Sequence, residues 1–188
     1  MTSCLAGAAL ATALAVPPAL AQTIEEKAQL CAGCHGANGV PTDKSWPVIS
    51  GQQLGYLYLQ LRDFKSGARK SEVMGPLAAA LDRDEMMALA GYFSKQSWPD
   101  LRQPRAPAAV AAQAVTANTA TGCTGCHQGA YQGEGTQPRL AGQTQEYLQS
   151  TMLAFRNKSR GNNPGMTDLM LATSESDIGA LAAYLAGL

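Results

Sequence analysis

Apolar residues recur at helical spacing in two stretches of the first half of the chain. The first stretch ends at Lys65-Ser66-Gly67, and its apolar positions are Leu54, Leu57, Tyr58, Leu61 and Phe64. The second stretch follows the i, i+3, i+4, i+7 pattern, at Met86, Leu89, Ala90 and Phe93. Both patterns predict amphipathic helices with one face turned to a core.

Capping signals give the starts of two helices. Thr23 with Glu26 forms a capping box for a helix that runs into Cys31, and Asp82 with Glu85 does the same for the last helix of this half. A polar loop is expected to lead to Met74.

The second half of the chain repeats the first. Cys31, Cys34 and His35 recur 92 positions later, and the offset is 91 in the middle of the repeat. The pairs at offset 91 are Pro47/Pro138, Gly51/Gly142, Gln52/Gln143, Tyr56/Tyr147, Leu57/Leu148 and Phe64/Phe155. The offset returns to 92 at Met74 and Met166. This pattern indicates a tandem duplication of a helical unit, and we predict an all-α fold with two domains.

The stretch between the two repeats is rich in Pro, Arg and Ala and has no amphipathic pattern. It predicts a linker at residues 99–107 between a first domain, 22–98, and a second domain, 108–188. Residues 108–120 are rich in alanine and predict a helix that leads into the second copy of the cysteine motif.

Residues 1–21 carry no charge. The apolar stretch from Leu5 to Val16 precedes Ala19-Leu20-Ala21, which is typical of a secretory signal peptide and its cleavage site. The alternative is an uncleaved membrane anchor between Cys4 and Ala21. A cleaved signal would place the protein in the periplasm.

The composition limits the kinds of partner. The chain has 188 residues with 14 basic and 14 acidic side chains, so no polybasic character points to nucleic acid. Charged residues make up 15% and aromatic residues 6% of the chain. A covalently bound prosthetic group would stabilise such small domains.

Four of the five cysteines lie in the two Cys-x-x-Cys-His motifs, Cys31-Ala32-Gly33-Cys34-His35 and Cys123-Thr124-Gly125-Cys126-His127. This is the attachment signature of c-type haem. On a helical turn, residues i and i+3 are neighbours, so both thiols reach one porphyrin edge. Disulfides or a zinc site are the alternatives, but a histidine after each pair favours two covalently attached haem c groups.

The second axial ligand of each iron follows from the histidine count. The chain has two histidines and both belong to the motifs, so His35 and His127 take one side of each iron and a methionine thioether is expected on the other. Met74 and Met166 are both expected to lie in loops, each follows its histidine by 39 residues, and the two are repeat partners. Met170 is the competitor in the second half, and its repeat partner is Ala78.

Other repeated residues have weaker assignments. Pro47 and Pro138 either stiffen a loop beside the haem, leaving a carbonyl for the histidine N–H, or are ordinary turn prolines. Two further repeat pairs would contact haem propionates or be ordinary helix and surface residues, namely Tyr56/Tyr147 and Arg69/Arg160.

Each half resembles a class I cytochrome c. The duplication and the segment from Gly51-Gln52 through Phe64-Lys65-Ser66-Gly67-Ala68-Arg69 to Met74-x-Pro76 resemble the dihaem cytochrome c4 family. The second half departs from that pattern at Gln128 and Asp168. The resemblance implies two domains about a pseudo-twofold axis and electron transfer in the periplasm. Redox partners would be a terminal oxidase, a cytochrome bc1-type complex or a periplasmic dehydrogenase, and some members associate with the membrane.

Three functions are compatible with these observations. The first is an electron carrier that is not an enzyme, with two six-coordinate His/Met haems. The second is the cytochrome subunit of a flavocytochrome sulfide dehydrogenase or another periplasmic dehydrogenase. The third is a dihaem enzyme such as a peroxidase or thiosulfate dehydrogenase, which would need an open or differently ligated iron.

Overall fold

The computed structural model describes residues 23–188, and these residues form α-helices and short turns but no β-strand. The predicted all-α fold is therefore confirmed. The predicted signal peptide, with Cys4, lies outside the described residues. No helix within residues 23–188 has both the length and the apolar character that a membrane crossing requires.

The first half contains four α-helices. They are α1 (Ile24–His35), α2 (Leu54–Ser66), α3 (Met74–Ala79) and α4 (Arg83–Ser94). Helix α4 packs against α1 and α2, and α3 packs against α2. The apolar stripe of α4 is buried as its periodicity predicts, at Met86, Leu89, Ala90 and Phe93.

Both predicted capping boxes are present. The side chain of Thr23 accepts from the Glu26 backbone N–H at 3.2 Å, and the Glu26 carboxylate accepts from the Thr23 N–H at 2.9 Å. Asp82 and Glu85 make the same reciprocal pair at the start of α4. These bonds satisfy N–H groups that have no partner within the helix.

The second half contains five α-helices. They are α5 (Ala108–Thr121), α6 (Cys123–His127), α7 (Gln145–Arg156), α8 (Pro164–Ala172) and α9 (Glu175–Ala186). Helix α9 packs against α5 and α7, and α8 packs against α7. The helix pairings of the first half are thus repeated, as a duplication requires. Residues 97–107, which include the predicted linker, have no regular secondary structure.

The two cysteine motifs lie on different local structures. The first motif is the C-terminal part of the continuous helix α1. In the second half, Gly122 adopts the left-handed conformation with φ +69° and ends α5, so the motif occupies its own short helix, α6. The sequence predicted the alanine-rich helix but did not predict this break.

The expectation that Met74 and Met166 lie in loops is wrong. Met74 is the first residue of α3, and its N–H donates to Ser71 Oγ at 3.0 Å. Met166 lies in the first turn of α8, where Asn163 Oδ1 accepts from its N–H at 3.1 Å. Pro164 at the start of α8 suits the first helical turn because its fixed φ matches a helix and it needs no N–H acceptor.

Candidate functional site

The two histidines lie in matching surroundings. His35 ends α1 and His127 ends α6, and both are nearly completely buried. The Nδ1–H of His35 donates to the Pro47 carbonyl oxygen at 3.0 Å, and that of His127 donates to the Pro138 carbonyl oxygen at 2.8 Å. The prolines are therefore not ordinary turn residues, since each accepts a bond from its motif histidine. This bond fixes the tautomer, so Nε2 is the nitrogen with a free lone pair.

The electrostatic environment favours neutral imidazoles. Burial lowers the pKa of His35 by more than the bond to the Pro47 carbonyl raises it. The pKa of His127 is lowered in the same way, by burial against the opposing bond to Pro138. A neutral imidazole is the form that ligates a metal.

The four motif cysteines are free thiols. Cys31 and Cys34 lie three residues apart on α1, and Cys123 and Cys126 have the same spacing on α6. The first thiol of each pair is half-buried and the second is exposed. Burial raises the pKa of the Cys31 thiol.

All of these residues line one cavity of about 830 Å³ that extends between the two halves. Both cysteine pairs, both histidines and the candidate ligands Met74 and Met166 contribute to its wall. The wall is mostly apolar, and Leu57, Phe64, Leu148 and Phe155 are among its other members. A largely apolar cavity with paired thiols and a buried imidazole in each half suits a hydrophobic macrocycle held at one edge.

The methionines that line this cavity differ in burial. Met74 and Met166 are half-buried, whereas Met170 is only 2% exposed and belongs to the apolar core of the second half. Ala78, the repeat partner of Met170, is also fully buried. Met152 also lines the cavity, from α7.

The tyrosines and arginines pair across the two halves. Arg69 Nη2 donates to the Tyr147 hydroxyl at 3.1 Å, and Arg160 Nη2 donates to the Tyr56 hydroxyl at 3.3 Å. Each guanidinium also lies over a phenylalanine of its own half, Arg69 over Phe64 at 4.5 Å. These are therefore not ordinary surface residues.

Arg160 offers a specific test of fit for an anionic group. It is only 6% exposed, and its buried Nη1 has no hydrogen-bond partner among residues 23–188. A buried guanidinium nitrogen without a partner is costly. Since Arg160 lines the cavity, a carboxylate such as a haem propionate would satisfy it. The residues present therefore fit a haem.

Sequence reasoning missed several polar residues between the halves. The Gln60 Oε1 accepts bonds from Arg69 at 2.9 Å, Arg160 at 2.9 Å and Asn162 at 3.1 Å. Asn162 also donates to the buried Asp63 carboxylate at 2.8 Å. No spacing rule reveals the contacts of Arg160 and Asn162, because their partners lie about a hundred positions away in the chain.

Comparison with known proteins agrees with this geometry. The family model described as cytochrome c matches residues 109–188. The cytochrome c4 of Thiocapsa roseopersicina is 34% identical over 177 residues, covering 89% of this chain and 92% of that protein. The chain belongs to the cytochrome c4 family. As a member of this family, the protein is a dihaem electron-transfer cytochrome with two covalently attached haem c groups.

A further relative and a solved structure support the same membership in the cytochrome c4 family. A protein of Stutzerimonas stutzeri named thiosulfate dehydrogenase electron acceptor is 34% identical over 172 residues, covering 86% of this chain and 80% of that protein. The crystal structure of reduced cytochrome c4 from Pseudomonas stutzeri superposes with a TM-score of 0.78 at 29% identity, covering 88% of this chain and 96% of that chain. The similarity therefore extends across both halves.

Proposed function

We propose that this protein is a periplasmic electron carrier in which each half binds one haem with closed His/Met coordination. Cys31 and Cys34 would hold one haem, with His35 and Met74 as the iron ligands. Cys123 and Cys126 would hold the other, with His127 and Met166. When bound, haem iron supplies reversible one-electron chemistry. The observation that carries the proposal is the repeated bond from each motif histidine to a proline carbonyl beside one shared cavity.

The chain's own residues would set the electronic properties of each site. The Pro47 and Pro138 carbonyls orient the imidazoles and increase their basicity through the Nδ1–H bond. A methionine thioether raises the reduction potential relative to a second nitrogen ligand. With His35 and Met74 holding one iron and His127 and Met166 the other, neither iron would have a position left for a substrate, which favours a carrier over an enzyme.

The preference for Met166 over Met170 rests on position. Met74 and Met166 are repeat partners and are both half-buried, whereas all three methionines line the cavity. Met170 is packed among core residues of the second half, where its repeat partner Ala78 is buried too. A core-filling methionine is the common structural use of this residue.

The partners are proposed to be redox proteins. A dehydrogenase in the periplasm would reduce this protein, and a terminal oxidase or a cytochrome bc1-type complex would exchange electrons with it. The similarity to a protein named thiosulfate dehydrogenase electron acceptor favours a thiosulfate-oxidising dehydrogenase as the donor. Peripheral association with the membrane is compatible with this role.

Electron paramagnetic resonance of the purified ferric protein, with cyanide addition, tests the proposal. A carrier with closed coordination gives two low-spin ferric haems, slow cyanide binding at both, and full reduction by two electrons. A high-spin signal with rapid cyanide binding at one haem would instead favour a dihaem enzyme. Stoichiometric co-purification of a flavoprotein would favour the cytochrome subunit of a sulfide dehydrogenase.

A further inference from the structure

We propose that each half of this molecule positions the haem-ligating histidine of the other half, through the amide side chains of Gln143 and Gln52. The inference rests on the proposed role of His35 and His127 as iron ligands. It assigns a function to two residues that the electron-transfer role alone leaves unexplained.

Gln143, in the second half, binds the backbone of the first half in a two-point contact. Its Oε1 accepts from the Val48 N–H at 2.8 Å, and its Nε2 donates to the Val48 carbonyl at 2.9 Å. Gln143 and Val48 are only 2% and 1% exposed. The amide thus satisfies both polar groups of a buried residue that lies outside any helix.

Gln52 makes the mirror contact from the first half to the second. Its Oε1 accepts from the Arg139 N–H at 2.7 Å, and its Nε2 donates to the Arg139 carbonyl at 3.0 Å. Each glutamine Oε1 also accepts from the N–H of the next residue, Gln53 or Thr144, at 2.9 Å. The same arrangement therefore occurs twice, once in each direction across the interface.

Val48 and Arg139, which the two glutamine amides bind, each directly follow the proline that binds a histidine. Val48 follows Pro47, whose carbonyl accepts from His35 Nδ1–H, and Arg139 follows Pro138, whose carbonyl accepts from His127 Nδ1–H. Because the Pro47 carbonyl and the Val48 N–H belong to one peptide plane, fixing Val48 N–H fixes the orientation of that carbonyl. Gln143 is therefore one rigid peptide unit away from the bond that holds His35.

Water cannot readily take over the hydrogen bonds that the amides of Gln143 and Gln52 make. Both side chains are buried, so removing one leaves a backbone N–H and C=O without partners. The preceding residues, Gly51 and Gly142, both have positive φ, +62° and +73°. A Cβ on Gly51 would lie 2.7 Å from the Trp98 backbone nitrogen, so this tight turn needs glycine.

The chemical consequence concerns how strongly the histidine donates its Nε2 lone pair to iron. A well-aligned Nδ1–H bond to a carbonyl increases the basicity of the imidazole, which favours ferric iron. A weaker bond reduces that basicity and raises the reduction potential. Gln143 thus tunes the potential of the first haem, and Gln52 tunes the potential of the second.

The test is proton exchange at the two histidines of the haem-loaded protein labelled with ¹⁵N-histidine. The chain has two histidines, so two Nδ1–H signals are followed in wild type, Gln143→Ala and Gln52→Ala. We expect Gln143→Ala to speed exchange at His35 by about tenfold, a factor that corresponds to ~1.4 kcal/mol. Exchange at His127 should stay within about twofold in that variant, a change of well under 1 kcal/mol. Gln52→Ala should show the reverse, and each variant should raise the potential of the opposite haem.

Two further variants keep the result interpretable. Gln143→Glu retains an acceptor for the Val48 N–H but places a carboxylate oxygen against the Val48 carbonyl oxygen, so it should also speed exchange at His35 and leave His127 unchanged. Gln113→Ala removes two hydrogen bonds to Ser176 and Asp177 within the second half, and it should leave both histidine signals unchanged.

Two results would overturn the proposal. One is an effect of Gln143→Ala on His127 equal to or larger than that on His35. The other is unchanged exchange at both histidines in the two alanine variants. Failure of the ligation itself is seen separately, because histidine signals without a paramagnetic shift in the ferric wild type would show that the imidazoles do not bind iron.

Discussion

The turns that follow the two motif histidines share two left-handed positions but carry different residues there. Gly36 and Gly39 have φ of +72° and +85° in the first turn, and Gln128 and Tyr131 have φ of +67° and +53° at the matching positions of the second. The Gly39 N–H donates to the Gly36 carbonyl at 3.0 Å, and the Tyr131 N–H donates to the Gln128 carbonyl at 3.0 Å. The left-handed conformation at these two positions has been kept while the glycines have not, although between them only the first turn has a further left-handed residue, Asn38, with φ +56°.

The reason for this difference lies in local crowding. A Cβ on Gly36 would lie 1.9 Å from the Val40 carbonyl oxygen, and one on Gly39 would lie 2.7 Å from Ile49 Cγ1. In the second half, Tyr131 is buried at the Gly39 position and packs edge-on against Tyr184, with ring centroids 6.4 Å apart. A duplicated unit can therefore accept left-handed strain where the side chain gains a packing site.

The largest effect expected from testing the two halves is loss of a haem. Cys31→Ser with Cys34→Ser, and Cys123→Ser with Cys126→Ser, should each leave one covalent haem per chain because thioether bonds need thiols. Haem content after acid–acetone extraction measures this. Two covalent haems remaining in either double variant would contradict the assignment.

A smaller effect is expected at the first position of each turn. Gly36→Ala should reduce the free energy of unfolding by about 3 kcal/mol, since it adds a backbone clash to left-handed strain. Gln128→Gly should increase it by about 0.5 kcal/mol, because relief of that strain slightly exceeds the entropic cost of glycine. Denaturant unfolding of the haem-loaded variants measures both changes. A loss of stability in Gln128→Gly would contradict the left-handed strain assigned to that position.

A pH-dependent effect is expected from the two cross-paired tyrosines. Burial raises the pKa of Tyr147, but the guanidinium groups of Arg69 and Arg160 outweigh it and bring that pKa to about 7. Burial and the neighbouring Tyr147 raise the pKa of Tyr56. Since the folded-state pKa of Tyr147 lies below its unfolded value, its contribution to stability grows as pH rises from about 7 towards 10.0 and is lost as pH falls.

The two phenols can be separated by substitution. Tyr147→Phe should flatten the rise in stability over this pH range, and Tyr56→Phe should leave it intact because Tyr56 stays protonated there. Unfolding midpoints at several pH values provide the measurement. An unchanged pH dependence of the unfolding midpoint in Tyr147→Phe would mean that another anion, such as a haem propionate, neutralises the guanidinium groups in place of Tyr147.

Much of this architecture is readable from local sequence signals. Both capping boxes and the α4 stripe are short-range patterns, and the structure confirms them. The duplication is visible when the two halves of the sequence are aligned, and the helix pairings of the first half recur in the second. The start of a helix at Met74 was missed because a six-residue helix has too few positions to show a period. The cross-domain contacts of Gln52, Gln60 and Gln143 were missed because they depend on how the two halves meet, although the repeated Gly-Gln pair marked two of them.

The most direct test of closed His/Met coordination is the near-infrared charge-transfer band of the ferric protein, integrated per haem. Met74→Ala and Met166→Ala should each remove half of the band and lower one of the two potentials. That shift should be on the order of a tenth of a volt, within the roughly 0.8 V range over which axial ligands act. Met170→Ala, the matched control, should keep the full band. Loss of half the band in Met170→Ala, with Met166→Ala unchanged, would contradict the ligand assignment of the second haem.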